Sequence, residues 1–344
     1  MRRSTVAVLG GGQLGRMLAL AGFPLGLSFR FLDPSPDAPA GEVGELLVGR
    51  YDDPALLDRL ADGADAVTYE FENVPVEAAR RVRALPPPRA LELGQDRLAE
   101  KRLFRRLGIP TAEFESPSLP ALVKSRRLGY DGKGQRLVRE GPLEVGPGEL
   151  AEELVPFDRE LSIIAARRRG GETAFYPLAE NVHHDGVLRV SRVPAERAPQ
   201  AEAEDYARRL LDELGYVGVL ALELFEVDGR LLANEFAPRV HNTGHWTIDG
   251  AETSQFENHL RAILGLPLGA IAARGPSVMV NLIGGLPPLE ALLALPRAHL
   301  HVYGKAPRAG RKLGHVTLVG ASAGVVAAAI RLADQAAGAA RDGV

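Results

Sequence analysis

The sequence predicts a chain of mixed α/β and α+β class, with a parallel, doubly wound sheet at its N-terminus and hairpin-rich segments after it. Three observations predict this. Short apolar runs alternate with helical segments over residues 6–69, the pattern of crossover-connected parallel strands. A glycine-rich segment, Gly129-Tyr130-Asp131-Gly132-Lys133-Gly134-Gln135, lies between two strand-like runs instead of opening a helix. The dipeptide Asp228-Gly229, a strong hairpin turn, joins two further apolar runs.

Taken in order, residues 6–9 read as a buried strand, 10–15 as a tight turn and 16–22 as helix. Strands follow at 27–32, 46–48 and 66–69, with a helix at 54–61 between the last two. Pro86-Pro87-Pro88 breaks the pattern, and the boundary falls near Gln95-Asp96. A helix over 96–107 is capped by Asp96 and ended by Gly108-Ile109-Pro110. Strands are expected at 122–124 and 135–138 around the glycine loop, then at 160–166 and 173–177. A helix at 201–214 precedes the hairpin of 217–225 and 230–236. Strands at 277–282, 299–303 and 315–318 and an alanine-rich helix over about 324–340 close the chain.

Composition narrows the function. A length of 344 residues allows two or three domains, and 46% hydrophobic with 25% charged residues is ordinary for a globular enzyme. A net charge of -3 gives no bulk attraction to nucleic acid or to an anionic membrane. No apolar run is long enough to span a bilayer, and residues 6–9 are too short for a signal-peptide core. The absence of cysteine excludes disulfides, thiolate nucleophiles and cysteine metal sites, and a cytoplasmic location fits. Only five of the 41 basic residues are lysine: Lys101, Lys124, Lys133, Lys305 and Lys312. Where arginine has displaced lysine so widely, the survivors are candidates for sites that need a compact ammonium.

Four motifs carry chemistry. Gly10-Gly11-Gly12-Gln13-Leu14-Gly15 fits G-x-G-x-x-G between a strand and a helix, with Asp33 where a ribose-binding acid would stand. Alone, it admits a nicotinamide cofactor, another phosphate or a plain turn. The 129–135 glycines expose amides that can form an anion nest, with Lys124 at the preceding strand end to meet phosphates. Glu223 and Glu235 lie in the two arms of the Asp228-Gly229 hairpin. If the strands pair through that turn, both carboxylates can face one side, where a magnesium ion is the natural partner; the alternative is that each is salt-bridged by one of the many arginines. Arg239-Val240-His241-Asn242 follows, suited to polar contacts with a small anion. A late basic cluster holds Lys305, Arg308, Arg311, Lys312 and His315.

These residues resemble the ATP-grasp superfamily and, within it, the N5-carboxyaminoimidazole ribonucleotide synthetase family. The resemblance rests on residues 10–17, the 129–135 loop, Phe175-Tyr176-Pro177 with Asn181-Val182-His183, the run 234–242, Gln255-Phe256-Glu257 and the run 310–315. It implies an ATP-grasp fold with a Rossmann-like preATP-grasp domain over 1–96. An ATP-grasp domain over 97–272 would follow, with a mobile lid at about 118–160, and then a C-terminal subdomain over 273–344. It implies ATP on Arg97, Lys124 and the 129–135 loop. Glu152, Glu153, Leu154 and Val155 would form the adenine hinge, with Glu160, His183 and Asn234 also at the nucleotide. Glu223 and Glu235 would carry magnesium, or manganese in its place. Arg239, His241, Asn242 and Lys305 would hold bicarbonate or carboxyphosphate. Gln13, Leu14, Glu72, Tyr130, Asp131, Arg311 and Lys312 would hold 5-aminoimidazole ribonucleotide. Asp131 and Lys305 would manage protons or charge at the reacting groups. The family also implies a homodimer. A different ATP-grasp ligase, an NAD-dependent dehydrogenase and a non-catalytic nucleotide-binding module stay open as alternatives.

Overall fold

The computed structural model describes residues 4–129 and 134–342, with side chains described as far as residue 338. Tyr130, Asp131, Gly132 and Lys133 lie outside the described residues.

The N-terminal part contains β1 (Thr5–Leu9), α1 (Gln13–Gly22), β2 (Ser28–Asp33), β3 (Glu45–Val48), α2 (Pro54–Ala61), β4 (Ala66–Tyr69), α3 (Val76–Arg81) and α4 (Pro88–Gly94). Its strands form a sheet in the order β3-β2-β1-β4, and every pair is parallel, as the alternating pattern predicts. Asp53 caps α2 through the amides of Ala55 and Leu56, with Pro54 in the first turn. Helix α1 begins three residues earlier than expected. Gly12 offers no side-chain cap. Glu70, just past the end of β4, supplies the missing acceptor: its carboxylate takes the N–H groups of Gly12, Leu14 and Gly15.

The middle begins with α5 (Arg97–Arg106), capped by Asp96 as the sequence predicts. A three-stranded antiparallel sheet follows, made of β5 (Ala121–Ser125), β6 (Gln135–Val138) and β7 (Glu149–Glu153) in the order β6-β5-β7. Next come β8 (Arg159–Arg167), β9 (Thr173–Phe175), β10 (Ala179–His184), β11 (Val187–Val193), α6 (Gln200–Glu213), β12 (Gly218–Val227) and β13 (Arg230–Ala237). The chain ends with α7 (Thr247–Gly250), α8 (Gln255–Ile263), β14 (Ser277–Ile283), α9 (Leu289–Leu293), β15 (Ala298–Val302), β16 (Lys312–Val319) and α10 (Ala323–Asp342). The hairpin β10–β11 carries one nine-stranded sheet across from the middle of the chain to its end, in the order β13-β12-β8-β10-β11-β14-β16-β15, with β9 beside β8.

Alternation along β8 and β12 explains how the cleft arises. Leu161, Ile163 and Ala165 with Leu220, Leu222 and Leu224 fill one face, in the same core cluster as Leu210 and Leu211 of α6. Each such buried leucine contributes about 2 kcal/mol. The opposite face carries Ile164, Ala166, Val219 and Ala221, packed in one cluster with Leu18 of α1 and Phe256 of α8. Further along that face the apolar residues give way to Glu160, Glu223 and Phe225. The sheet stays continuous while its surface turns from core to site.

Candidate active site

A cleft of about 670 Å³ lies where the N-terminal sheet, the three-stranded sheet and the nine-stranded sheet meet. Apart from the four residues outside the description, every residue expected at the site lines it except Gly134 and Arg311. Gly134 turns back onto β5, its carbonyl accepting the Ser125 amide at 2.7 Å. Arg311 donates to the Ala306 carbonyl at 3.3 Å instead of entering the cleft.

The floor is the hairpin β12–β13. Asp228 and Gly229 both have positive φ, 49° and 75°, as a type I′ turn requires. The turn alone does not bring the two carboxylates together. From it the register runs Val227↔Arg230 to Leu224↔Ala233, and unbroken it would set Glu223 opposite Asn234, leaving Glu235 on the other face. A bulge at this point makes Asn234 the extra residue and places Glu235 opposite Glu223. The expected pair therefore exists, but through the bulge. Burial and the adjacent charge of Glu235 push the Glu223 carboxyl up to about 7. Glu235 is paired with Arg97 at 2.7 Å; burial raises its carboxyl, but Arg97, with Lys124 and Lys101, keeps it low on balance. Two facing carboxylates, one destabilised by the other, fit a divalent cation.

In the three-stranded sheet, Lys124 of β5 donates to Glu152 of β7 at 3.0 Å. Lys101 of α5 reaches the same oxygen at 3.3 Å and also donates to Thr111 at 2.9 Å. Lys101 is 1% exposed and Glu152 2%. Burial alone would raise Glu152, but the two lysines hold it down to about 2. The Glu152 side chain, expected only at the adenine hinge, is thus the counter-charge of Lys124. Phe157 and Phe225 stack at 4.8 Å in the same cleft. Glu160 lies against His183 Nδ1; burial lowers this imidazole most, but the hydrogen bond together with the charges of Glu223 and Glu160 raises it on balance.

The segment after β13 is clamped from α8. Gln255 accepts the His241 amide at 2.9 Å and donates to the His241 carbonyl at 2.6 Å. His241 Nδ1 accepts from the Thr243 amide, which turns Nε2 toward Glu223, 3.5 Å away. Burial, reinforced by Arg239 and Lys312, keeps this imidazole neutral. Arg239 pairs with Glu72 at 2.6 Å, while its Nε and both side-chain atoms of Asn242 are buried with no partner. Such atoms fit a small polar ligand.

The first glycine turn is filled from within. Gly11 donates to Asp33 at 2.8 Å, and Gly12, Leu14 and Gly15 donate to Glu70 at 2.8–3.1 Å. These amides have no capacity left for a pyrophosphate, and Asp33 also accepts from Tyr51 at 2.9 Å. The dehydrogenase alternative fails on this geometry. Sequence reasoning missed Glu70 and Lys101 as partners, although the scarcity of lysine singles out Lys101. Nothing local to Glu70 marks it, since its partners sit on another strand's turn.

Comparison with known proteins agrees. Residues 3–95 match the ribonucleotide synthetase preATP-grasp domain, 108–256 the ATP-grasp domain and 277–329 the phosphoribosylaminoimidazole carboxylase C-terminal domain. N5-carboxyaminoimidazole ribonucleotide synthase of Pseudomonas aeruginosa is 51% identical over 339 residues, covering 91% of this chain and 94% of that protein. The crystal structure of N5-carboxyaminoimidazole ribonucleotide synthetase from Thermus thermophilus has a TM-score of 0.90 at 56% identity, covering 95% of this chain and 98% of that one. The synthase from Aspergillus clavatus in complex with ADP and 5-aminoimidazole ribonucleotide has a TM-score of 0.87 at 30% identity, covering 97% and 99%. Fold and site together define an ATP-grasp ligase. The chain belongs to the N5-carboxyaminoimidazole ribonucleotide synthase family.

Proposed function

We propose that this chain carboxylates 5-aminoimidazole ribonucleotide to N5-carboxyaminoimidazole ribonucleotide in purine biosynthesis, using ATP and bicarbonate and releasing ADP and phosphate. The observation that carries the reading is one juxtaposition. A facing glutamate pair, a strand-end lysine and the unpartnered atoms of Arg239 and Asn242 share a single cleft.

The described residues divide the work as follows. Lys124 meets the nucleotide phosphates, Glu152 and Lys101 hold it in place, and Glu160 with His183 faces the ribose. Phe157 and Phe225 offer a flat apolar surface for the base. Glu223 and Glu235 hold magnesium, which supplies positive charge to the phosphate oxygens when bound. Arg239 and Asn242 orient bicarbonate, whose oxygen attacks the terminal phosphorus while ADP leaves, giving carboxyphosphate. The exocyclic amine of the ribonucleotide then forms a bond to the carboxyl carbon, directly or after release of CO2. Phosphate departs and the amine loses a proton. Neutral His241 keeps its Nε2 toward Glu223 throughout, and Lys305 with Lys312 balances anionic charge at the acceptor. Closure of the lid excludes water from the unstable intermediate. Asp131 and Tyr130 complete this reading at the acceptor, as the family resemblance implies. So do a division at residues 96 and 272, a homodimer and a cytoplasmic location. No helix among the described residues is long and apolar enough to cross a membrane.

The test is ADP release with and without bicarbonate and 5-aminoimidazole ribonucleotide. Turnover should need both. ADP release that ignores bicarbonate would point to another ATP-grasp ligase, and none with any acceptor would point to a binding module. Lys305→Ala should abolish product, and near-normal turnover would remove Lys305 from the reading.

A further inference from the structure

The mechanism gives no task to Glu70, yet the start of α1 is built around it. A Cβ at Gly10 would collide with its Cγ, and one at Gly12 would stand 2.5 Å from Oε1. The two glycines thus make room for this carboxylate, which then accepts three amides at 2.8–3.1 Å. Gln13 lies inside the segment so pinned. Its Oε1 accepts a hydrogen bond from Lys305 Nζ at 2.5 Å. Lys305 comes from the loop after β15, so this contact joins the first helix to the far end of the chain.

We propose that Glu70 is a positioning residue for Lys305: it fills the amide cradle of α1, fixes Gln13 there, and through Gln13 and its own negative charge holds a protonated ammonium at the cleft. The charges facing Lys305 make this necessary. Arg311 and Lys312, at the start of β16, repel it, and Glu70 attracts it. The ring of Tyr303 lies 5.9 Å away, and Glu42 approaches the neighbouring Gly304. Burial pushes Lys305 down to about 8, with Glu70 opposing the fall. Without Glu70 the ammonium would lose its proton more readily and hold an anionic substrate less well. The inference rests on the reading of Lys305 as an acceptor-site charge.

Competitive labelling with acetic anhydride across pH tests it, because the five lysines of the chain separate into individual peptides. Glu70→Gln should lower the Lys305 midpoint by roughly one pH unit, while Glu70→Asp, which keeps the charge, should stay near the parent. An unmoved midpoint, or equal shifts in both variants, would overturn the proposal. In turnover assays Glu70→Gln should raise KM for the ribonucleotide and leave KM for ATP unchanged. If Glu70→Gln does not fold, Gln13→Leu serves: Lys305 should label several-fold faster at fixed pH, and an unchanged rate overturns the clamp. Labelling reads Lys305 directly, so normal turnover in Lys305→Ala would sink the acceptor-site reading while leaving the Glu70 result to be judged separately.

Discussion

Glu152 and Glu223 line the same cleft, and desolvation raises the carboxyl of each, yet the fold treats them in opposite ways. Glu152 sits between Lys101 and Lys124 and is held down to about 2. Glu223 sits opposite Glu235 and is pushed up to about 7. The protein completes the first charge itself, tying strand β7 to α5. It leaves the second facing a like charge, a repulsion that a bound cation would relieve. Perturbation by matched opposite charge makes a latch here, and perturbation by like charge is the arrangement expected of a cation site.

Removing one charge from each pair separates the two. The largest effect is expected at the latch. Lys101→Met leaves Glu152 with one partner in a dry site, and should cost about 3–5 kcal/mol of stability in urea unfolding. The double variant Lys101→Met with Glu152→Leu should recover much of that loss; no recovery would mean that the pair is not the source. Glu223→Gln should do the reverse. Turnover should fall at least about 10²-fold, the scale on which loss of one electrostatic stabiliser is felt. The unliganded variant should unfold no more easily than the parent, because a like-charge contact has been removed. A clear loss of stability there would erase the contrast.

A pH series sharpens the same comparison. The folded-state carboxyl of Glu152 lies below its ordinary value of 4.5, so its contribution is present above that pH and is lost as pH falls through about 2. The stability difference between the parent and Glu152→Gln should therefore be full near neutrality. It should shrink steadily under acid conditions, by about 3 kcal/mol in all. A difference independent of pH would show that packing, not charge, holds the latch.

What the sequence disclosed follows from how local each signal is. The Asp96 cap, the Asp228-Gly229 turn and the strand at 217–225 depend on residues a few positions apart, and each appears where expected. Strand β7 was missed because Glu-Leu-Ala-Glu-Glu carries no apolar alternation; Glu152 is buried with Lys124 from β5 and Lys101 from α5 as its partners. The hairpin β10–β11 was missed in the same way, its interior held partly by Asn181 bonded to Ser162 and Ser191. In the site, Glu223 and Glu235 were legible as a pair but the bulge that aligns them was not, since nothing in the run 230–237 marks Asn234 as the extra residue. Glu70 was illegible for the converse reason. Its role is written in the glycines it touches, and those read more readily as a phosphate turn.

The smallest expected effect asks which device sets the glutamate register, the turn or the ladder. Gly229 has φ 75° and no atom within 4 Å of a built Cβ, so Gly229→Ala meets backbone strain but no clash. That strain should cost about 1 kcal/mol. If the turn alone fixed the register, the variant would slip and magnesium-dependent turnover would collapse. But β12 is held along its other edge by β8 from Gly218↔Arg167 to Glu226↔Arg159, and the bulge lies between the turn and the pair. The ladder with β8 is indifferent to the turn. Gly229→Ala should therefore lose a few degrees in melting temperature and keep kcat/KM for ATP. A large fall in kcat/KM at near-normal stability would place control of the site in the turn.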